Sequence, residues 1–259
     1  MKTFIDHLGR TIQMPFPPKR IVSLAPAITE TMYHLKLGEQ VVGRTRFCIH
    51  PQPEVERAMN VGGTKDMKLE RIKALDPHLI VAEKEENTKE MIEELEKYLP
   101  VFVFEIQTYE DALTMIKDLG TITNRSLEAN QTIITIEKKF TPLQRRQNLR
   151  VAYVIWKNPY MVVGGNTYIN SVLSKLGFHN PFASSEGRYS EVSEEDLRAA
   201  NLDYIFLATE PFPFSDKERN HFQAILPKTK ALIVDGEMFW YGSRMIEATD
   251  YFKQTLLTL

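Results

Sequence analysis

The chain has 259 residues, of which 43% are hydrophobic and 25% charged, as in ordinary globular proteins with one large domain or two smaller lobes. The formal net charge of −2 argues against a nucleic acid or an anionic membrane surface as partner, and no apolar run is long enough to span a membrane. The single cysteine, Cys48, excludes an internal disulfide.

The first half of the chain alternates apolar runs with amphipathic segments, after a short hairpin predicted between Phe4 and Ile12. The predicted strands are 21–24, 41–45, 79–82 and 101–104. The predicted helices are 29–35, 69–75, 87–98 and 109–119. Strands that alternate with helices indicate an α/β fold with mainly parallel sheets.

A long amphipathic helix is predicted at the middle of the chain, from Asn124 to Phe140 or Leu143. Residues three and four positions apart form one apolar face, which consists of Ala129, Ile133, Ile136, Phe140 and Leu143. Asn124 is predicted to cap the start of the helix, and Pro142 to stop or kink its end.

The second half of the chain repeats the order of the first. Its predicted strands are 150–156, 204–208 and 231–235, and its predicted helices are 168–176, 193–200, 216–225 and a last one from about residue 243. Segment 20–24 resembles 150–154, and segment 70–75 resembles 195–200, at offsets of 150 − 20 = 130 and 195 − 70 = 125 residues.

This repeat predicts two similar Rossmann-like α/β lobes joined by one long backbone helix. The N-terminal lobe is 1–123, the connecting helix 124–147 and the C-terminal lobe 148–259. The alternative is that any two α/β domains look alike at this level of detail.

The loops that follow the strands hold the candidate binding residues, because ligands of parallel sheets bind at the carboxyl ends of the strands. In the first lobe these residues are Phe47, Cys48, His50, Thr64, Lys65 and Glu83. In the second they are Trp156, Tyr160, Arg188, Tyr189, Phe239, Trp240, Tyr241 and Arg244. Aromatic faces with a few cations suit a large, flat, partly anionic small molecule, although loop aromatics can also merely cover the ends of a sheet.

Cys48 and His50 are the residue types that bind metals, but no second Cys/His pair lies at ligand spacing, so a protein-only zinc site is not expected. Either residue could instead be the axial ligand of a metal that an organic ligand already holds, or both could simply pack and form hydrogen bonds. The chain has no Gly-x-Ser-x-Gly, P-loop or dinucleotide-binding signature, so no catalytic residue is assigned and no enzyme is expected.

The N-terminal 14 residues include Asp6, His7 and Arg10 and have neither the apolar segment nor the cleavage site of a secretory signal. The sequence therefore leaves two expectations: a cytoplasmic protein, or a chain whose precursor is longer.

Five segments carry a family resemblance. They are RIVSLAPxxTE at 20–30, VGG at 61–63, LERI at 69–72, LxPxLI at 75–80 and WYGSR at 240–244. In this order, over about residues 19–255, the chain resembles the substrate-binding proteins of ABC importers for vitamin B12, haem and iron-siderophores, of the helical-backbone metal receptor type. The resemblance is strongest to the cobalamin-binding branch. It implies a monomer in the periplasm or cell envelope, without a cofactor, that clamps a metal chelate between two lobes and delivers it to a permease.

The resemblance also implies two docking residues. In the cobalamin receptor, one surface glutamate on each lobe pairs with arginines of the permease, and the matching positions here are Glu70 and Glu195. These are also the residues that the internal repeat superimposes. The alternative is that both are ordinary first-turn glutamates, which are favourable at any helix N-terminus.

The chain departs from the cobalamin receptor on one side of the expected cleft. Thr64 and Glu83 stand where that receptor has tryptophans, whereas Phe47 keeps an aromatic side chain and Tyr189 replaces another tryptophan. The expected cleft is therefore more polar on this side than in the cobalamin receptor. The resemblance leaves three expected ligand classes, namely a corrinoid, haem and a ferric siderophore.

Carboxylates on such a ligand would be met by the three cations of the site, Lys65, Arg188 and Arg244. A second hypothesis is a cytosolic tetrapyrrole-handling protein, either a carrier or a chelatase-like enzyme. It is motivated by the missing signal and by Cys48 and His50.

Overall fold

Two five-stranded sheets lie at the centres of two compact units in the computed structural model, which describes residues 1–143 and 149–258. Unit 1 comprises Met1–Ile106, Glu110–Glu137 and Tyr241–Arg244, and unit 2 comprises Gln107–Tyr109, Lys138–Trp240 and Met245–Leu259. Residues 144–147 of the predicted connecting helix, the first residue of the predicted C-terminal lobe and Leu259 lie outside the described residues.

Unit 1 begins with the predicted hairpin, in which β1 (Lys2–Ile5) pairs antiparallel with β2 (Thr11–Met14). Its main sheet is parallel, in the order β5-β4-β3-β6-β7. The strands are β3 (Ile21–Ser23), β4 (Val41–Arg44), β5 (Met59–Asn60), β6 (Leu79–Glu83) and β7 (Val101–Phe104). The helices are α1 (Pro26–His34), α2 (Leu69–Ala74), α3 (Lys89–Glu96) and α4 (Tyr109–Thr123).

Three of these strands, β3, β6 and β7, are buried along their whole length. Their sequences are short and mostly apolar, as is usual for parallel strands that are covered on both faces, although β3 ends in Ser23 and β6 in Glu83. The two-residue strand β5 was not among the predicted strands. So short an element has no periodicity for a sequence pattern to detect.

Unit 2 has the strand order β10-β9-β8-β11-β12. The strands are β8 (Val151–Trp156), β9 (Tyr160–Val163), β10 (Tyr189–Val192), β11 (Tyr204–Ala208) and β12 (Lys230–Val234). The helices are α5 (Ser126–Phe140), which is shared with unit 1, α6 (Tyr168–Lys175), α7 (Glu194–Ala199), α8 (Asp216–Ile225) and α9 (Met245–Tyr251). A π-helical turn, Phe252–Leu256, continues α9.

Strands β9 and β10 correct the sequence prediction, which placed loops there. Both are antiparallel to their neighbours, whereas β8, β11 and β12 pair in parallel. The two main sheets are therefore mainly parallel, as predicted, with an antiparallel edge in unit 2. Asn158, with a φ of 61°, makes the tight turn from β8 to β9 possible. Tyr160 and Tyr189, expected in loops, are instead the first residues of these two strands.

The central helix α5 has the predicted apolar face, since Ala129 and Ile136 are fully buried. The prediction that Asn124 caps this helix is wrong. Asn124 has a φ of 60°, and the next N–H, that of Arg125, donates to the Gly120 carbonyl at 2.7 Å. Asn124 therefore ends α4 in the left-handed conformation that asparagine tolerates, and α5 begins after it.

The two units share a strand order in which the first strand of each sheet, β3 or β8, is central. They also share one contact at equivalent places. Arg20 Nε donates to the Leu75 carbonyl at 2.7 Å, and Arg150 Nε donates to the Ala200 carbonyl at 2.9 Å. In each unit this contact ties the start of the central strand to the end of a short helix, which supports the predicted duplication.

Candidate functional site

The side chain of Cys48 points into unit 1. The thiol is fully buried, and the hydroxyl groups of Thr29 and Thr45 lie 3.0 and 3.2 Å from Sγ. Burial raises the pKa of the Cys48 thiol, and the threonine hydrogen bonds only partly oppose this. A metal binds the thiolate form, which burial disfavours here, so the role of Cys48 as a ligand stays a prediction.

The rest of the loop after β4 is more open. Phe47 is 48% exposed, and the Arg46 guanidinium lies over its ring at 4.8 Å from the centroid. Arg46 also forms an ion pair with Asp66 at 2.9 Å. His50, two residues beyond the buried thiol, is half-buried, so the two predicted metal-binding side chains differ in their access to solvent.

Glu83 is the last residue of β6 and is only 2% exposed. Its Oε2 accepts hydrogen bonds from the N–H groups of Glu85 and Glu86, at 2.7 and 2.9 Å, whereas Oε1 has no partner among the described residues. Burial raises the pKa of Glu83 to about 7. A carboxyl group that is neutral or charged within the physiological range therefore lies at the carboxyl end of this sheet.

Asn87 organises the same edge of the sheet and was missed by the sequence analysis. Its Nδ2 donates to the carbonyls of Leu24 and Thr64, and its Oδ1 accepts from the N–H of Glu83. It thus joins the ends of β3 and β6 to the loop that carries Thr64 and the exposed Lys65. The sequence shows only an asparagine next to a threonine at the start of a predicted helix, and the burial of Asn87 is visible in the structure alone.

In unit 2, Trp156 ends β8 and is 39% exposed. Its ring packs edge-on against Phe212, with centroids 6.0 Å apart, and Phe212 in turn contacts Phe214 at 4.7 Å. Tyr160, on the neighbouring strand, lies 4.9 Å from Phe222. Of these rings Trp156 is exposed, whereas Phe214 and Phe222 are buried, and the binding role of Trp156 and Tyr160 stays a prediction.

Trp240 is half-buried, and its indole Nε1 donates to the carboxylate of Glu210. Phe239, predicted beside it as a binding residue, is only 3% exposed and packs against Tyr153 at 4.7 Å and Phe252 at 5.2 Å. Its ring therefore belongs to the core of unit 2 in this structure. The sequence could place these two aromatic residues in one loop but not tell which of them faces outward.

Two of the three predicted cations, Arg188 and Arg244, have contacts within their own units. Arg188 Nε donates to the Asn166 carbonyl at 2.9 Å, just before Tyr189 opens β10. Arg244, next to the half-buried Tyr241 in the segment that belongs to unit 1, forms two contacts with Glu30 at 2.8 and 3.1 Å. The carboxylate of Glu30 already balances the charge of Arg244, so the role of Arg244 in binding a ligand carboxylate stays a prediction.

Glu70 and Glu195 occupy equivalent positions in the first turns of α2 and α7. Their side chains are 85% and 83% exposed. Each is paired with a base three residues later, Lys73 at 3.3 Å and Arg198 at 3.5 Å. Each unit therefore presents one exposed carboxylate at the same place in its fold.

Within residues 1–143 and 149–258, no three His, Cys, Asp or Glu side chains gather in a way that could hold a metal ion. None of the helices in this part of the chain is both long enough and apolar enough to cross a bilayer.

A sequence profile of the family described as periplasmic binding protein matches residues 21–230. The vitamin B12-binding protein of Pectobacterium atrosepticum is 27% identical over 255 residues, which cover 93% of this chain and 90% of that protein. The vitamin B12-binding protein of Vibrio parahaemolyticus is 27% identical over 197 residues, which cover 73% of this chain and 70% of that protein.

Solved structures show the same fold. The periplasmic vitamin B12 binding protein of Vibrio cholerae matches with a TM-score of 0.77 at 22% identity, covering 94% of this chain and 98% of that chain. The periplasmic heme binding protein of the same organism also matches with a TM-score of 0.77, at 20% identity, covering 92% of this chain and 98% of that chain. At these identities the likeness establishes the two-lobed α/β fold.

Proposed function

The chain belongs to the periplasmic binding protein family, and from this membership we propose that it is the substrate-binding component of an ABC importer. Its ligand is a metal-containing organic molecule, either a cobalamin-like corrinoid, haem or a ferric siderophore. The observation that carries the proposal is the match to a vitamin B12-binding protein over 93% of this chain.

The two units support this ligand class in different ways. Unit 2 offers the exposed ring of Trp156 and the half-buried ring of Trp240, which suit a large flat chelate. Unit 1 offers a more polar edge, with Glu83 and the half-buried His50. We assign the ligand to strand-exit residues, with His50 favoured over the buried Cys48 as an axial ligand of the metal.

The partner in this proposal is an ABC permease, which Glu70 and Glu195 contact. Their near-complete exposure at equivalent helix starts supports the assignment, because charged groups on the rim of an interface guide encounter and orientation. Members of the family are binding proteins, and we assign no catalytic step to this chain. Its place is the periplasm or cell envelope.

The alternative of a cytosolic tetrapyrrole carrier or chelatase-like enzyme is not favoured, because the profile and the relatives all point to binding proteins. The thiol of Cys48, one of the two residues that motivated it, is buried among threonines.

A visible absorption titration with cyanocobalamin, haemin and a panel of ferric siderophores, followed by gel filtration, tests the proposal. One coloured ligand should co-elute with the protein at a ratio of one to one.

Trp156→Ala should weaken binding of that ligand about tenfold or more, because the variant loses a stacking face. Tyr98→Ala, which removes an exposed aromatic side chain outside the candidate site, is the matched control and should bind normally. Failure of every coloured ligand to bind would contradict the assigned ligand class.

A further inference from the structure

Trp240 is held by a carboxylate from a different loop. Glu210 follows β11, whereas Trp240 follows β12 and the 3-10 turn Gly236–Phe239. The indole Nε1 donates to Oε1 of Glu210, which makes this a hydrogen bond to a carboxylate rather than to a neutral acceptor. Indole has a single N–H donor, so this bond uses the whole donor capacity of the side chain.

Hydrogen bonds also join the two loops next to this pair. The N–H of Gly236 donates to Oγ1 of Thr209 at 3.0 Å, and the N–H of Thr209 donates to the Val234 carbonyl at 3.0 Å. A Cβ on Gly236 would overlap Cγ of Glu210. The Glu210 side chain therefore passes directly over a position where only glycine leaves room.

The backbone next to Trp240 is also fixed. Phe239 is buried between Tyr153 and Phe252, and the N–H of Trp240 donates to the Glu237 carbonyl at 3.0 Å. Burial raises the pKa of the Tyr153 phenol, and the charge of Glu210 raises it further, so the carboxylate lies close to this core residue. Both ends of the Glu210–Trp240 pair thus rest on ordered parts of unit 2.

We propose that Glu210 is a positioning residue that holds the Trp240 indole so that its ring face, and not its N–H, meets the ligand. The part that concerns the ligand rests on the proposed function. With its only donor engaged, the indole offers a ligand a π surface, which attracts flat and cationic groups. The carboxylate at the ring edge adds negative charge there. The pair therefore selects for the flat or cationic face of a metal chelate, and against a ligand carboxylate at this point.

The positioning can be tested without a ligand. The chain has two tryptophans, so a proton–nitrogen NMR spectrum contains two indole N–H signals, and Trp240→Phe identifies the one from Trp240. In Glu210→Ala this signal should move upfield and its N–H should exchange faster with solvent. Glu210→Gln, which keeps an oxygen acceptor, should largely restore the signal. Glu237→Ala, which removes a carboxylate from the same turn, is the matched control and should leave the signal unchanged.

The same variants test the effect on binding, with cyanocobalamin and haemin as probes. Glu210→Ala should lose about tenfold in affinity at an unchanged melting temperature, and Glu210→Gln should lose much less. The combination Trp240→Phe/Glu210→Ala should bind no worse than Trp240→Phe alone, because the carboxylate then has no indole N–H to hold.

Three results would overturn the inference. The first is a Trp240 indole signal whose position is the same in Glu210→Ala and in the wild type. The second is an unchanged affinity for the probe in Glu210→Ala although the indole signal has moved. The third is a loss of affinity in the double variant that equals the sum of the losses in the two single variants. If the wild-type protein binds neither probe, the failure falls on the proposed ligand class, and the indole signal alone still decides whether Glu210 holds Trp240.

Discussion

The carboxyl group of Glu83 should make the stability of the protein depend on pH. Its pKa is raised to about 7 in the folded state, so the folded protein binds this proton more tightly than the unfolded chain does. The stabilisation is complete below the unfolded pKa of about 4.5 and is lost as the pH rises through about 7. We expect Glu83→Gln, which stays neutral and keeps an acceptor for the two backbone N–H groups, to gain up to about 3 kcal/mol over wild type at pH 8 and little at pH 5.

Urea unfolding at both pH values measures this difference. Glu218→Gln is a control of opposite sign. Hydrogen bonds from Ser215 and Lys157 lower the pKa of Glu218 to about 2, so its stabilisation is present above about pH 4.5 and is lost toward pH 2. Glu218→Gln should therefore destabilise the protein at neutral pH. Equal stability of Glu83→Gln and wild type at pH 8 would show that the folded protein does not raise the pKa of Glu83.

At the level of single residues, the candidate binding residues could be located in the sequence because they follow predicted strands. The direction of their side chains could not be predicted. Phe47 and Trp156 are exposed as a binding role requires, whereas Cys48 and Phe239 are directed inward. A loop residue is free to face either way, because loops have no fixed periodicity like that of a strand or helix. Glu210 was missed for a related reason: its partner Trp240 is 30 residues away along the chain.

Among the helices, α2 and α7 are equivalent but begin differently. Ser193 forms a capping box with Asp196 at the start of α7, whereas Lys68 at the start of α2 provides no side-chain cap. We expect Ser193→Ala to lower the free energy of unfolding by about 1 kcal/mol, because it leaves a helix N–H without its acceptor. Chemical denaturation measures the loss. The matched variant Lys68→Ala should change stability little, and an equal loss in both variants would contradict the capping argument.

Most strands and helices could be predicted, because buried parallel strands are short apolar runs and α5 has a regular apolar face. The antiparallel pair β9 and β10 could not, since its strands are far apart in the chain and lack a continuous apolar run. The start of α5 was misplaced because asparagine serves equally well as an N-cap and as a left-handed helix end. In each of these cases, tertiary pairing or backbone conformation decided what local composition could not.

For the whole protein, the double variant Glu70→Ala/Glu195→Ala separates ligand binding from delivery. Both side chains are exposed and lie on helices rather than in the strand-exit loops, so ligand affinity and melting temperature should stay at wild-type values. Uptake in a strain that depends on this importer should fall to background, because the proposed contacts with the permease are lost.

The control for this experiment is Glu90→Ala/Glu247→Ala. It removes one exposed first-turn glutamate from each unit, at helices α3 and α9. The two double variants change the net charge equally, so a general electrostatic effect would reduce uptake in both. Normal uptake by Glu70→Ala/Glu195→Ala would contradict the docking assignment.

Because Cys48 is buried, its reactivity toward thiol reagents reports local opening of unit 1. A fully buried thiol with a raised pKa reacts with thiol reagents only after the surrounding structure has separated. The chain has no other cysteine, so the labelling rate in native buffer reports the local opening of the structure around Cys48, Thr29 and Thr45 in unit 1. A bound ligand that stabilises this part of the fold would slow the labelling, which makes the reaction an assay for colourless ligands as well.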